Sequence, residues 1–235
     1  MGFWNRSCNW NNVSTDEDNA LGWAFTLLII IIIVMFDLPY IATHPLLAQI
    51  MKHCATLSEQ ADGLPPAVHM EDFAQVFGQY PNDKYKPHSY ANIAAVLWAE
   101  AGEDAVAEFV RRLVFSVVIG NADMHLKNWS LLYPDQRKPT LSPGYDFVAT
   151  LPYIPNDKLA LSFGGSRSLA EVTQGQMRRF ADTARIPASP LWQIAVETAQ
   201  HTAEAWKKFE HADLLPKNLR ASINKQILRV AATVT

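Results

Sequence analysis

The sequence predicts a mainly helical domain that carries one small β-hairpin. The strongest sign is the stretch Glu103–Ile119, in which apolar side chains recur on one stripe at helical spacing. A second sign is the turn Pro134-Asp135, which separates the short runs Trp129–Tyr133 and Lys138–Leu141 and so predicts the hairpin. Between this helix and the hairpin lies a polar loop, which holds the candidate functional residues.

The other helices are predicted from their ends. Ser89 is suited to cap a helix that Gly102 ends, and Thr173 with Gln176 forms a capping box for a helix reaching Ala184. Pro190 is expected in the first position of the next helix. The remaining predicted elements are short helices over Leu46–Leu57 and Met70–Phe77, a strand over Leu159–Phe163, and a last helix with Leu219, Ile223 and Ile227 on its apolar face.

Composition limits the classes of function. A chain of 235 residues suits one large domain, or one domain with an appendage. Proteins that bind the phosphate backbone of nucleic acids usually carry a net positive charge, whereas the formal net charge of this chain is -3. We therefore expect no direct contact with nucleic acid. With only 2 cysteines and no zinc-ligand spacing, the sequence favours a reducing compartment and a cytoplasmic location.

The first part of the chain differs from the rest. The linker-like stretch Gly63–Pro66 predicts a domain boundary, with residues 1–66 on one side and 67–235 on the other. Ala20–Phe36 contains no charged residue and reaches the lower end of the length that spans a bilayer, so it is a candidate membrane anchor. The alternative is a buried strand, since Ile29–Val34 are all β-branched. In the membrane hypothesis, the flanking charges favour a cytoplasmic position for the domain that follows.

The polar loop has the spacing of a phosphotransferase site. Asp123 and Asn128 are five residues apart, and Asp146 follows beyond the hairpin. In kinases an acid at the first position accepts the proton of the substrate hydroxyl, while the amide and the second acid hold Mg²⁺. His125 and Lys127 lie between them, where a cation could offset charge on the transferred phosphoryl group. The alternative is a polar turn that only stops the preceding helix.

Residues 121–130 (NADMHLKNWS) and 141–146 (LSPGYD) together resemble the C-terminal part of HipA-type serine/threonine kinases, the toxins of bacterial toxin–antitoxin pairs. The resemblance extends upstream through residues 70–75 and Lys84-Tyr85, and downstream through residues 158–165 and 177–186. It implies a helical fold like a kinase C-lobe, with Asp123 as the acid–base residue and with Asn128 and Asp146 as Mg²⁺ ligands. It further implies ATP as phosphoryl donor, a protein Ser or Thr as acceptor, and a HipB-like antitoxin as partner.

The sequence departs from that family before residue 67. The glycines before Asp123 are isolated, so no G-x-G-x-x-G loop is present, and Lys52 does not lie in a strand like that of the nucleotide-binding lysine. We therefore expect a shortened or rearranged member of the family that binds ATP poorly by itself. A catalytically inactive remnant that binds an antitoxin-like partner is the alternative, and membrane anchoring is compatible with either hypothesis.

Overall fold

The structure is a computed structural model that describes residues 68–85, 88–209, 212 and 214–234. Within Val68–Thr235 the chain forms one compact unit. The candidate membrane anchor at residues 20–36 and the helix predicted at 46–57 lie outside the described residues. The boundary after residue 66 stays a prediction. Among the helices that are described, none has both the length and the apolar character needed to cross a membrane.

The described chain is mainly helical with two small antiparallel sheets, which confirms the predicted fold class. One sheet has the strand order β1-β2-β3, and the other is the β4-β5 hairpin. The strands are β1 His69–Asp72, β2 Ser130–Tyr133, β3 Thr140–Leu141, β4 Lys158–Phe163 and β5 Ser166–Ser168. The helices are α1 Phe73–Val76, α2 Tyr90–Glu100, α3 Glu103–Ile119, α4 Gln174–Ala184, α5 Ala188–Lys207 and α6 Lys217–Ala231.

Helix α3 is the centre of the fold. It packs against α2, α5 and α6, and its apolar stripe, including Phe109 and Val117, is buried. It ends at Gly120, whose φ of 81° is the left-handed conformation that glycine adopts without strain. The buried side chain of Gln226 in α6 reaches α3 and donates to the backbone carbonyl of Val117 at 2.9 Å. The end of α3, from which the polar loop departs, is thus held by the core.

Three boundaries differ from those expected from the sequence. The predicted helix Met70–Phe77 is wrong in its first half, because residues up to Asp72 form β1, in which Met70 pairs with Leu132 of β2. Asp72 then caps the short helix α1. Pro190 is the third residue of α5 and not the first, since the helix begins at Ala188. The second arm of the predicted hairpin is shorter, with only Thr140–Leu141 in β3.

The turn between β4 and β5 provides a test of packing. A Cβ at Gly164 would overlap the backbone carbonyl oxygen of Gln176 in α4, whereas a Cβ at Gly165 meets nothing within 4 Å. Both glycines have positive φ, 54° and 83°. We expect Gly165→Ala to cost about 1 kcal/mol of unfolding free energy from backbone strain. Gly164→Ala should cost roughly 1–3 kcal/mol more, because α4 must shift.

Chemical denaturation of the two variants measures this difference, with Gly165→Ala as the matched control. Equal losses of unfolding free energy would contradict the close approach of α4 to Gly164.

Candidate active site

The polar loop after α3, residues 121–129, is called the Asp123 loop below. Its middle is fixed to the core by the carbonyl of Met124, which accepts hydrogen bonds from the hydroxyl of Tyr90 at 3.0 Å and from the indole N–H of Trp129 at 3.4 Å. Met124 and Trp129 are buried, whereas Asp123 and Lys127 are exposed. The backbone of the loop is therefore rigidly supported while these two charged side chains face outward.

The start of the loop is held from two sides. The N–H of Ala122 donates to the hydroxyl of Thr150 at 3.0 Å, and Thr150 in turn donates to the carboxylate of Asp157 at 2.9 Å. The carbonyl of Ala122 accepts from the N–H of Ala160 in β4 at 2.8 Å. Both polar groups of the residue before Asp123 are thus satisfied, which fixes where the Asp123 side chain begins.

Asn121 connects the two candidate acids. Its side chain is fully buried. The side-chain oxygen accepts from the N–H of Asp123 at 3.1 Å, and the side-chain nitrogen donates to the carbonyl of Asp146 at 3.4 Å. A single amide therefore bridges the backbones of Asp123 and Asp146, which are far apart in sequence, and brings them to one site.

Asn128 is buried and its orientation is defined. The side-chain N–H₂ group donates to the carbonyl of Asp123 at 2.9 Å. The amide oxygen is therefore the atom that can coordinate a cation, as Mg²⁺ requires of an asparagine. This hydrogen bond spans the five-residue spacing noted in the sequence and gives that spacing a structural reason.

Asp146 lies in a strained backbone conformation. Its φ is 58°, in the left-handed region that residues other than glycine rarely adopt. The residue before it, Tyr145, donates its hydroxyl to the carbonyl of Lys127 at 2.9 Å and contacts the hydroxyl of Ser130 at 2.5 Å. Burial raises the pKa of Tyr145 to about 12, so this hydroxyl keeps its proton. Tyr145 thereby holds the Asp146 segment against the Asp123 loop, with the Asp146 side chain exposed.

His125 is buried beside a cation. The ammonium of Lys84 lies 2.8 Å from its Nε2. Burial lowers the pKa of His125, the charge of Lys84 lowers it further, and the charge of Asp123 acts in the opposite direction. The imidazole is therefore neutral at pH 7, and the positive charge at this point belongs to Lys84. An ammonium can only donate, so Nε2 accepts and the ring proton resides on Nδ1.

Tyr85 contacts the predicted catalytic acid directly. Its hydroxyl donates to Oδ1 of Asp123 at 2.8 Å. Burial is the largest cause that raises the pKa of Tyr85 to about 12, and the hydrogen bond and charge of Asp123 add to it. The ring also meets the His125 imidazole edge-on, with centroids 5.3 Å apart.

The structure brings the five predicted site residues into one region, the Asp123 loop and the adjoining Asp146 segment. Their catalytic and metal-binding roles stay predictions. No group of three or more His, Cys, Asp or Glu side chains suited to a metal occurs within the described ranges, and the predicted Mg²⁺ ligands are one amide and one acid. The contributions of Lys84, Tyr85, Asn121 and Thr150 were not predicted. Three of these four lie in the stretches that carried the family resemblance, which was the available signal.

An acid on an ordered loop, an oriented amide and a second acid bridged to the first together have the layout of a kinase-type phosphotransferase site. A model of the HipA-like C-terminal domain matches residues 52–206 of the chain. The chain therefore belongs to the family defined by the HipA-like C-terminal domain.

Two relatives with similar sequences carry kinase names. "Putative kinase Y4dM" of Sinorhizobium fredii is 43% identical over 169 residues, which are 72% of this chain and 40% of the relative. "Putative kinase Y4mE" of the same organism is 32% identical over 151 residues, 62% of this chain and 36% of the relative. The chain thus spans well under half the length of these relatives.

A solved structure shares the fold. HipA of Shewanella oneidensis MR-1, determined in complex with HipB and its operator DNA, superposes with a TM-score of 0.60 at 19% sequence identity. The match covers 72% of this chain and 45% of that one. At this identity the likeness establishes the fold alone. The predicted resemblance to the C-terminal part of HipA is confirmed by the family match over residues 52–206.

Proposed function

We propose that this chain provides the catalytic lobe of a HipA-type protein serine/threonine kinase, which transfers the γ-phosphoryl group of ATP to a protein Ser or Thr. The observation that carries the proposal is the Asn121 bridge, which holds Asp123 and Asp146 at one site through hydrogen bonds of 3.1 and 3.4 Å. A turn that only ended α3 would not require a buried amide shared between the backbones of two exposed acids.

Asp123 is the acid–base residue in this proposal. Its exposed carboxylate accepts the proton of the acceptor hydroxyl as the hydroxyl oxygen forms its bond to the γ-phosphorus and the bond from that phosphorus to the leaving ADP oxygen breaks. The exposed ammonium of Lys127, four residues on, supplies positive charge for the phosphoryl oxygens. Because His125 is neutral, we propose that it supplies no positive charge to the site. Its role is to hold the Lys84 ammonium in place.

Asn128 and Asp146 fit a magnesium ion. The Asn128 amide presents its oxygen, because its nitrogen is engaged with the carbonyl of Asp123, and the Asp146 carboxylate is exposed. Both are the oxygen ligands that Mg²⁺ prefers, in the small number typical of sites completed by phosphates and water. When bound there, Mg²⁺ would neutralise charge on the ATP phosphates.

A HipB-like antitoxin is the proposed partner, and membership of the HipA-like family supports it. The Shewanella oneidensis neighbour was determined with HipB and operator DNA. That this chain makes no direct contact with nucleic acid rests on its net charge of -3 and stays a prediction.

Phosphotransfer from radiolabelled Mg-ATP tests the proposed function. The full chain is incubated with a mixed protein substrate, alone and together with the separately produced N-terminal part of a kinase relative, followed by phosphoamino acid analysis. We expect label on serine or threonine that depends on Mg²⁺ and is stronger in the mixture, because most contacts to the triphosphate in kinases come from the other lobe. Absence of transfer in both arms, with the chain folded, would favour the inactive antitoxin-binding remnant.

A further inference from the structure

Within the described part of the chain, two neighbouring residues far from the Asp123 loop in sequence contact its side chains. Lys84 lies against His125 at 2.8 Å and Tyr85 donates to Asp123 at 2.8 Å. The backbone carbonyl of Lys84 also accepts the N–H of Leu126 at 3.3 Å. The Lys84 ammonium lies 5.0 Å from the centre of the Tyr85 ring, so the two side chains support each other. Together with the edge-on contact of the Tyr85 ring with His125, these contacts join the dipeptide to three residues of the loop.

We infer that Lys84 and Tyr85 form a positioning pair that orients the catalytic carboxylate of Asp123. Tyr85 occupies one carboxylate oxygen, Oδ1, and so directs the other toward the acceptor hydroxyl. Lys84 holds His125 in one tautomer and anchors the segment from which Tyr85 reaches the acid. The inference rests on the proposed function, because orientation of Asp123 matters for catalysis only if Asp123 is the base.

The pair restrains the Asp123 side chain, which the hydrogen bonds to the backbone of the Asp123 loop do not. Those bonds fix the backbone of the Asp123 loop, but the Asp123 side chain is exposed and has two rotatable bonds. A solvent-exposed carboxylate turns freely unless a partner holds it, and a misplaced base loses much of its effect. The Tyr85 hydroxyl is the side-chain donor that the described part of the chain places on this carboxylate. Tyr85 is itself 41% exposed, so it lies at the edge of the site and not in the core.

The hydrogen bond can be measured without an activity assay. In protein labelled with ¹³C at the tyrosine Cζ, the Tyr85 signal is assigned by its loss in Tyr85→Phe and followed up to about pH 11 by NMR. Since the pKa of Tyr85 is about 12, its phenol stays largely protonated there. In Asp123→Asn the pKa should fall, because the charge that opposes ionisation is gone. Asp83→Asn is the control, because it also removes one negative charge, from the segment that carries Tyr85. Asp83 is not among the groups that shift the pKa of Tyr85, so this pKa should stay unchanged.

The contact between Lys84 and His125 has its own readout. In ¹⁵N-labelled protein we expect His125 to carry its ring proton on Nδ1, the tautomer that the Lys84 contact imposes. Lys84→Met removes the donor while keeping a long side chain, so the Nδ1–H form should lose its dominance. A wild-type His125 protonated on Nε2 would overturn this half of the pair.

Kinetics then separate positioning from a general effect on structure. We expect Tyr85→Phe to lower kcat roughly tenfold, the usual worth of a hydrogen bond to a charged group, with the KM for Mg-ATP within about twofold of wild type. In the Asp123→Asn background the same change should have no further effect, because Tyr85 acts only through that carboxylate. Tyr80→Phe is the control, as Tyr80 is a 78% exposed tyrosine on the same segment.

The outcomes are distinct for the two proposals. If Tyr85→Phe and Asp123→Asn reduce kcat by independent factors, or if the pKa of Tyr85 does not change in Asp123→Asn, the positioning pair is disproved. If the wild-type protein transfers no phosphate in either arm of the assay, the proposed kinase function fails. The NMR titration then still decides whether Tyr85 holds Asp123.

Discussion

Asp123→Asn is expected to reduce phosphotransfer by roughly 10²–10⁴-fold while leaving the affinity for Mg-ATP nearly unchanged. Asparagine keeps the shape of the side chain. Its oxygen can still accept a hydrogen bond from the Tyr85 hydroxyl, which lies 2.8 Å from Asp123 Oδ1 in the wild type. What is lost is the ability to take a proton from the acceptor hydroxyl. Because Asp123 is not among the proposed metal ligands, the ground-state complex with nucleotide should persist.

Rate measurements at saturating Mg-ATP, together with calorimetric titration of Mg-ATP, test this separation. Asp104→Asn is the matched control, because Asp104 is exposed in the first turn of α3. By helix geometry it lies about 24 Å from the end of α3 that carries the site. Transfer that survives Asp123→Asn undiminished would reduce this residue to a turn former and leave the kinase assignment as ancestry.

Local signals in the sequence predicted most of the helices. The caps at Ser89 and Thr173 act within one helical turn, so neighbouring residues suffice to reveal them. Strand β1 was missed because its stability comes from elsewhere. It exists through pairing with β2, in which Asp72 faces Ser130, and no local pattern marks a partner so distant in the chain.

The site shows the same division between local and distant contacts. Asp123 and Asn128 became candidates through their five-residue spacing, and a hydrogen bond of 2.9 Å from the Asn128 side chain to the backbone carbonyl of Asp123 joins them in the fold. The approach of Tyr85, which lies 38 positions before Asp123, depends on the folded path of the chain. Tyrosine and asparagine are common residues, so the roles of Tyr85 and Asn121 can be recognised only from their contacts in the folded chain. The charge state of His125 could not be predicted from the sequence either, because it depends on burial and on the nearby Lys84, which both lower its pKa.

Asp146→Asn should weaken both Mg²⁺ binding and phosphotransfer, at least roughly tenfold each, and so differ from Asp123→Asn. The proposed metal ligand acts on the ground state as well as on the transition state. Asparagine is the suitable replacement because it tolerates the left-handed conformation that Asp146 adopts, with its φ of 58°. The bond from Asn121 to the Asp146 backbone carbonyl is also preserved. The variant therefore removes a charge and little else.

Two measurements isolate the metal. Mn²⁺ added to ¹⁵N-labelled protein without nucleotide should broaden the signals of Asn128 and its neighbours by paramagnetic relaxation, and this broadening should require a higher Mn²⁺ concentration in Asp146→Asn. In the transfer assay, excess Mg²⁺ should partly restore Asp146→Asn but not Asp123→Asn, since mass action can refill a weakened site but cannot supply a base. Asp182→Asn, an exposed acid on α4, is the control for the loss of one negative charge. Mn²⁺ broadening that is identical in wild type and Asp146→Asn would show that Asp146 holds no metal, and its strained backbone would then need another explanation.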